Sequence, residues 1–143
     1  MSNTFTATNP ATGQSVGNPI TEHSFEEVTA AIAAAEKIKA KFAATTPTQR
    51  ASLLNAIADS IESEKETLAQ LSNLETALPM ARVTGEVMRT VIQIRAFADL
   101  VKTGGHLLPI IDLADPHFQP VARPDLRKSQ QPLGVVSIFA ASN

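Results

Sequence analysis

The 143-residue chain contains no cysteine, no tryptophan and no tyrosine. Without cysteine it can form neither disulfide bonds nor thiolate metal sites, and it carries no cysteine nucleophile of its own. Its three histidines, His23, His106 and His117, lie far apart and show no metal-ligand spacing. We therefore expect them at surface or loop positions and expect no metal site.

The chain also lacks an excess of one charge and any long apolar run. The formal net charge is -2, so no basic face is expected for nucleic acid or for a membrane surface. No apolar run approaches the ~20 residues of a membrane span. The polar start "MSNTFTATNPATG" has no apolar signal-peptide core. These features predict a globular, soluble, cytoplasmic protein.

Helix signals fill the first two thirds of the chain. Ser24 and Glu27 form an S-x-x-E capping box before an alanine-rich segment with one apolar stripe. Thr46 and Gln49 form a second box, with Pro47 at the first turn of the next predicted helix. A third helix is predicted from about residue 64, and a fourth over residues 80–102.

Turn and strand signals dominate the two ends of the chain, before and after the predicted helices. The turn-rich segment Asn9–Pro19 predicts a loop or a short edge hairpin. Beyond Gly105 the helical stripe ends, and we predict strands at about Leu107–Ile111, Val121–Ser129 and Val135–Phe139. The last of these is an unbroken apolar run, which is typical of a strand buried on both faces of a parallel sheet. Because the neighbours that such a strand needs are not encoded, we expect a truncated chain.

Four sequence segments, taken in order, resemble the aldehyde dehydrogenase superfamily. They are "NPATG", "R-x-x-L-L-x-x-I-A-D-x-I-E" (residues 50–62), "E-T-A-L-P" (residues 75–79) and "P-L-G-V-V-S-I-F-x-A-S-N" (residues 132–143). The stretch "ARPDLRKSQQPLG" looks most like the α-ketoglutaric semialdehyde (2,5-dioxovalerate) dehydrogenase branch. Most of the superfamily has Pro-Trp-Asn where this chain ends in Ala-Ser-Asn, which also favours that branch.

The resemblance implies an α/β protein with the N-terminal part of the aldehyde dehydrogenase fold. Residues 1–105 would be the N-terminal helical part of the NAD(P)-binding domain, with four helices. Residues 106–132 would be a strand-rich oligomerisation segment that joins subunits. Residues 133–143 would be the first strand and turn of the dinucleotide-binding sheet. The chain is thus expected to be no simple monomer, with a second copy or a complementary C-terminal fragment as its partner.

The resemblance also implies the site residues. Asn143 matches the asparagine whose side-chain NH2 stabilises the oxyanion during aldehyde oxidation, and Phe139, Ala140, Ala141 and Ser142 match the segment that runs along the cofactor. The intact enzyme would use NADP or NAD and oxidise a small semialdehyde of the 2,5-dioxopentanoate type to 2-oxoglutarate. This chain alone would be inactive. The alternative interpretation of Asn143 is an ordinary turn residue, and the alternative function is a non-catalytic helical module.

The sequence has few signals for any other kind of catalytic or binding site. The sequence contains no G-x-S-x-G hydrolase motif and no G-x-G-x-x-G phosphate loop. On the fourth predicted helix, Arg82 and Glu86 have the i,i+4 spacing of a surface ion pair. The resemblance implies that this helix lines the substrate entrance, which makes Arg89 and Arg95 candidates for contact with an acidic substrate. An ordinary solvated surface position is the favoured interpretation of both.

Overall fold

The computed structural model describes residues 3–140. Its chain order begins with two strands, β1 (Thr4–Thr8) and β2 (Ser15–Thr21), and four helices follow. After the helices come one turn of 3-10 helix and two three-residue strands, β3 and β4. The bounds of these later elements are α1 (Phe25–Ala43), α2 (Pro47–Ser63), α3 (Lys65–Thr76), α4 (Met80–Thr103), a 3-10 turn (Gly105–Leu107), β3 (Ile110–Asp112) and β4 (Leu126–Lys128).

The first two strands form a hairpin, one of the two alternatives that the turn-rich segment predicts, and they make a two-stranded sheet of their own. β1 and β2 pair antiparallel, with Thr8 opposite Ser15 and a register shift between Phe5 and Ala7. In the turn, the side-chain oxygen of Asn9 accepts a hydrogen bond from the amide of Ala11 at 2.9 Å. This local bond is the asparagine turn chemistry that favours a tight reversal.

Both capping boxes form. At the start of α1, the Ser24 hydroxyl accepts a hydrogen bond from the Glu27 amide at 3.2 Å, and the Glu27 carboxylate accepts one from the Ser24 amide at 2.7 Å. Thr46 and Gln49 repeat this pattern at the start of α2, at 3.2 and 2.8 Å. Each box satisfies two amides that the helix itself leaves without acceptors, so the sequence predicts both helix starts correctly.

The third and fourth helices also match their predicted positions. α3 is followed by a left-handed capping residue, Ala77, with φ of 56°. The Asn73 side chain donates a hydrogen bond to the Leu78 carbonyl at 2.6 Å, which holds the connection to α4. α4 is capped by Gly104, whose φ of 73° suits a residue without a Cβ.

The core of the described residues lies among α2, α3 and α4. α4 packs mainly against α2 and also against α3. The buried apolar side chains are small, which allows the helix axes to approach closely: Ala51, Ala58, Ala69, Val83, Val91 and Ala98. α1 is different, because none of its 19 residues, all of them described, is buried.

The strand predictions after Gly105 need correction. Leu107 lies in the 3-10 turn, so β3 begins later than predicted, and β4 is only three residues long. β3 and β4 pair antiparallel, with Ile111 opposite Arg127. For Val135–Phe139 the structure assigns no strand. No other described strand lies beside this segment to accept its backbone hydrogen bonds, and a strand exists only as part of a pair.

The described residues include no helix that is both long and apolar enough to cross a membrane.

Candidate functional site

The described part of the predicted cofactor segment is Phe139 and Ala140; Ala141, Ser142 and Asn143 lie outside the described residues. Phe139 is 94% exposed and Ile138 is 86% exposed. No backbone–backbone hydrogen bond joins residues 131–140 to another residue of the described range 3–140. The segment therefore presents backbone donors and acceptors that have no backbone partner among the described residues, together with exposed apolar side chains.

This segment passes close to α1 at Gly134. Gly134 has φ of 101°, and a Cβ at that position would lie 3.0 Å from the Lys39 side chain. The backbone approaches α1 closely here because glycine has no side chain. From Gly134, residues 135–139 run beside the first half of α1. We call residues 133–140 the terminal segment.

An open groove lies between α1 and the terminal segment. Its α1 wall is apolar, and its opposite wall is formed by the terminal segment. The polar side chains of the groove belong to His23 and Glu27 on the helix side and to Ser137 on the other. The lining residues on α1 are Val28, Ala31, Ile32 and Ala35, and those on the terminal segment are residues 135–139.

Glu27 is held in its charged form. The backbone hydrogen bond from Ser24 lowers the pKa of this carboxyl below its ordinary value, and His23 contributes less. The His23 Nδ1 atom lies 3.6 Å from the Glu27 Oε2 atom. This carboxylate is an acceptor already occupied at the helix start, so it is poorly placed to act as a general base.

The basic residues of α4 differ in their availability. The Arg95 Nη2 atom donates hydrogen bonds to Asp59 at 2.8 Å and to Glu62 at 2.6 Å, both on α2. These two bonds raise the pKa of Arg95 and use its guanidinium to join two helices. Arg89 lies 3.6 Å from Glu86 and is largely exposed. Of the two cations predicted as candidates for an acidic substrate, Arg89 is therefore the less committed.

The predicted Arg82–Glu86 pair is not the one that forms. Glu86 instead approaches Arg89, three residues further along α4. Both spacings place side chains on neighbouring positions of a helix surface, so sequence spacing alone does not choose between them.

A second concavity lies between α3 and α4, and sequence reasoning did not find it. Leu78, Val83 and Val87 form its apolar part. The hydroxyls of Thr76 and Thr90 on its wall donate to backbone carbonyls of their own helices, at 2.6 and 3.0 Å. With its hydroxyl engaged in this way, neither threonine is an activated nucleophile. Within residues 3–140, no three histidine or carboxylate side chains cluster as a metal site would require.

Comparisons with known proteins give this geometry its context. Residues 1–143 match the model of the aldehyde dehydrogenase family. The α-ketoglutaric semialdehyde dehydrogenase of Acinetobacter baylyi is 37% identical over 130 residues, which cover 91% of this chain and 25% of that protein. A second enzyme of that name, from Azospirillum brasilense, is 46% identical over 94 residues, covering 66% of this chain and 18% of that protein.

Solved structures agree with the sequence comparisons. PnpE, crystallised in complex with nicotinamide adenine dinucleotide, superposes with a TM-score of 0.70 and 28% identity, over 79% of this chain and 22% of the PnpE chain. The chain thus spans about a quarter or less of the length of its curated relatives. The four helices and the short strand pairs correspond to the N-terminal portion of that α/β fold. The chain belongs to the aldehyde dehydrogenase family.

Proposed function

We propose that this chain is the N-terminal portion of an NAD(P)-dependent aldehyde dehydrogenase that oxidises a small semialdehyde of the 2,5-dioxopentanoate type to 2-oxoglutarate. The observation that carries the proposal is the similarity to two α-ketoglutaric semialdehyde dehydrogenases, at 37% and 46% identity. The same proposal places this reaction in the cytoplasm. NADP and NAD are both compatible with it.

Within this proposal, Asn143 supplies the oxyanion donor. An asparagine NH2 is neutral and directional, and it suits the negative oxygen that develops when an aldehyde is attacked. Phe139, Ala140, Ala141 and Ser142 line the cofactor by their backbone. The backbone groups of the terminal segment, which have no backbone partner within residues 3–140, support this role, because a strand of the dinucleotide-binding sheet must pair with neighbours on both sides.

The residues present fit only one edge of a nicotinamide cofactor site. The sequence has no glycine-rich phosphate loop and no cysteine to attack the aldehyde. When bound, the nicotinamide accepts the hydride that leaves the aldehyde carbon. The thiol nucleophile and the rest of the cofactor site must come from polypeptide other than these 143 residues. We therefore propose that the chain alone is inactive.

A chimera tests the proposal directly. Residues 1–143 replace the corresponding N-terminal quarter of the Acinetobacter baylyi enzyme, and reduction of NAD or NADP is followed with 2,5-dioxopentanoate. The chimera should turn over, whereas residues 1–143 alone should not. Asn143→Ala in the chimera should lower kcat by about 10²–10³-fold, as expected for loss of one oxyanion donor.

The matched control is Asn55→Ala, an exposed asparagine on α2, which should leave kcat unchanged. Turnover by residues 1–143 alone would refute the proposed inactivity. A folded chimera with full kcat after Asn143→Ala would refute the assigned role of that residue.

A second candidate function is a non-catalytic helical module that associates with itself or with a complementary fragment. The observation that favours it is the exposed apolar face of α1, where Phe25 is 82% exposed. The chimera discriminates between the candidates, because a purely structural module would not support turnover. The reading frame beyond codon 143 offers a simpler check: a cysteine-bearing continuation supports the enzyme, and a stop codon supports the module.

A further inference from the structure

The strands β3 and β4 belong to a longer ribbon that pairs with itself. Ile110 lies opposite Lys128, and the same antiparallel register continues to Asp115 and Arg123, whose backbones exchange two hydrogen bonds of 2.9 Å. We call residues 107–130 the ribbon. Its backbone pairs lie within the ribbon itself, so none of them depends on polypeptide outside this range.

Both ends of the ribbon are closed by contacts of its own. At the tip, the Arg123 guanidinium lies over the Phe118 ring, 5.2 Å from the ring centroid. At the base, the Gln130 amide donates a hydrogen bond to the Leu107 carbonyl at 2.8 Å. The ribbon is thus fastened at its base, along its strands and at its tip, so we expect it to move as one unit.

The ribbon is joined to α4 through a turn with two left-handed residues. The first is Gly104, for which a positive φ carries no steric penalty. The turn then packs closely on α4, because a Cβ on Gly105 would lie 2.8 Å from the Leu100 Cδ1 atom. The second left-handed residue is Leu108, with φ of 42° and ψ of 56°. A leucine in this region brings its Cβ close to the following carbonyl oxygen, so the backbone is strained there.

Two hydrogen bonds of the neighbouring residue hold Leu108 in this conformation. The Leu107 amide donates to the Gly104 carbonyl at 3.0 Å, and the Leu107 carbonyl accepts the bond from the Gln130 amide. Leu107 is therefore tied to the end of α4 on one side and to the base of the ribbon on the other. A strained residue persists only where its surroundings require it. If Leu108 relaxed to an ordinary backbone conformation, the ribbon would turn away and the bond to Gln130 would break.

We infer that the left-handed Leu108 is a conformational lock, which fixes the direction of the ribbon relative to α4 together with the hydrogen bond between Gln130 and Leu107. Glycine would adopt the same φ without strain, but it would also adopt other conformations and let the ribbon swing. Leucine gives up some stability here and gains a fixed direction. The inference uses only contacts within residues 100–130. It depends neither on the proposed enzymatic function nor on the subunit contacts predicted for residues 106–132.

The test measures the distance between a spin label on α4 and a second label at the tip of the ribbon. The chain has no cysteine, so Lys102→Cys with Val121→Cys provides the only two labelled sites, and an excess of unlabelled chain removes distances between copies. The distance distribution should be narrow. Leu108→Gly should broaden it by about twofold or more, with helix content unchanged by circular dichroism. Leu108→Asn should keep it narrow, because asparagine tolerates the left-handed region.

Matched variants separate the lock from general loosening of the chain. Leu113→Gly makes the same substitution between two paired positions of the ribbon, so it should leave the distance distribution narrow. Gln130→Pro removes the amide that bonds to Leu107 and should broaden the distribution as Leu108→Gly does. Gln131→Pro, one residue later, removes an amide that has no backbone acceptor among the described residues, and it should leave the distribution narrow.

Several outcomes would overturn the inference. They are a broad distribution before any change at Leu108, a distribution that stays narrow after Leu108→Gly, and broadening by Leu108→Asn or Leu113→Gly as large as that by Leu108→Gly. A narrow distribution after Gln130→Pro would remove the base hydrogen bond from the lock and would also overturn it. Equal broadening by Gln131→Pro would do the same, because a proline near the base, and not the lost bond, would then be the cause.

Discussion

α1 and α2 begin with the same local chemistry but end in different environments. Each helix starts with a capping box, formed by Ser24 and Glu27 in one and by Thr46 and Gln49 in the other. Each carries an apolar stripe. α2 buries Ala51 and Ala58 in the contact with α4, whereas α1 buries no side chain. The difference shows that a capped amphipathic pattern specifies a helix but does not specify its partner.

The largest expected effect comes from the body formed by α2, α3 and α4. Val91 has no exposed surface, so Val91→Asp would bury a polar group without a partner, at a cost of roughly 2–7 kcal/mol in the free energy of unfolding. Chemical denaturation followed by circular dichroism measures the change. Val91→Ala provides a milder variant if Val91→Asp does not fold.

The neighbouring Ile92 is the control for Val91, because it is 62% exposed. Ile92→Asp should change the free energy of unfolding by no more than about 0.5 kcal/mol, the usual range for surface substitutions. Equal destabilisation by the two aspartates would mean that the α2–α3–α4 body is not the stable core of the chain.

Local signals predicted most of this body, and they failed where structure depends on distant partners. The two capping boxes and Gly104 are read within a few residues, so the helix bounds follow from the sequence. The left-handed Ala77 was not predicted, because alanine gives no signal for that conformation. Val135–Phe139 reads as a strand, yet it has no neighbour among the described residues. The candidate site residues begin at Phe139, at the end of this segment, and they stay a prediction that rests on family resemblance and on no local pattern.

The next-largest effect is expected from removing the N-cap side chains of α1 and α2. Thr46→Ala should lower the free energy of unfolding of the α2–α3–α4 body by about 1 kcal/mol, because an unsatisfied helix start weakens a helix that contributes to the core. Ser24→Ala should weaken the start of α1 by a similar amount but leave the unfolding of the body unchanged. Hydrogen exchange of amides in the first turns, together with global denaturation, separates the local from the global effect.

If Ser24→Ala lowered the global stability as much as Thr46→Ala, α1 would be energetically part of the body despite its exposed stripe. If neither variant changed hydrogen exchange in its own helix, the capping bonds would not contribute to helix stability in solution.

The smallest effect is an acid response confined to α1. The pKa of Glu27 is lowered by its hydrogen bond with the Ser24 backbone, and that of Glu26 is lowered by backbone hydrogen bonding and by Ser24. A carboxyl with a lowered pKa stabilises the folded helix above its ordinary value of 4.5 and loses that contribution as the pH falls through the lowered value. Amides in the first turn of α1 should therefore exchange faster, relative to their intrinsic rates, below about pH 4.5.

The matched variant for the acid response is Glu26→Gln with Glu27→Gln. Glutamine keeps an acceptor oxygen for the Ser24 amide but does not titrate, so the first turn of α1 should show no change in relative exchange over the same pH range. The start of α2, where Gln49 already occupies the equivalent position, is an internal control within the same molecule. An acid response at α2 as large as that at α1 would show that general acid unfolding, and not the Glu27 carboxylate, governs the helix start.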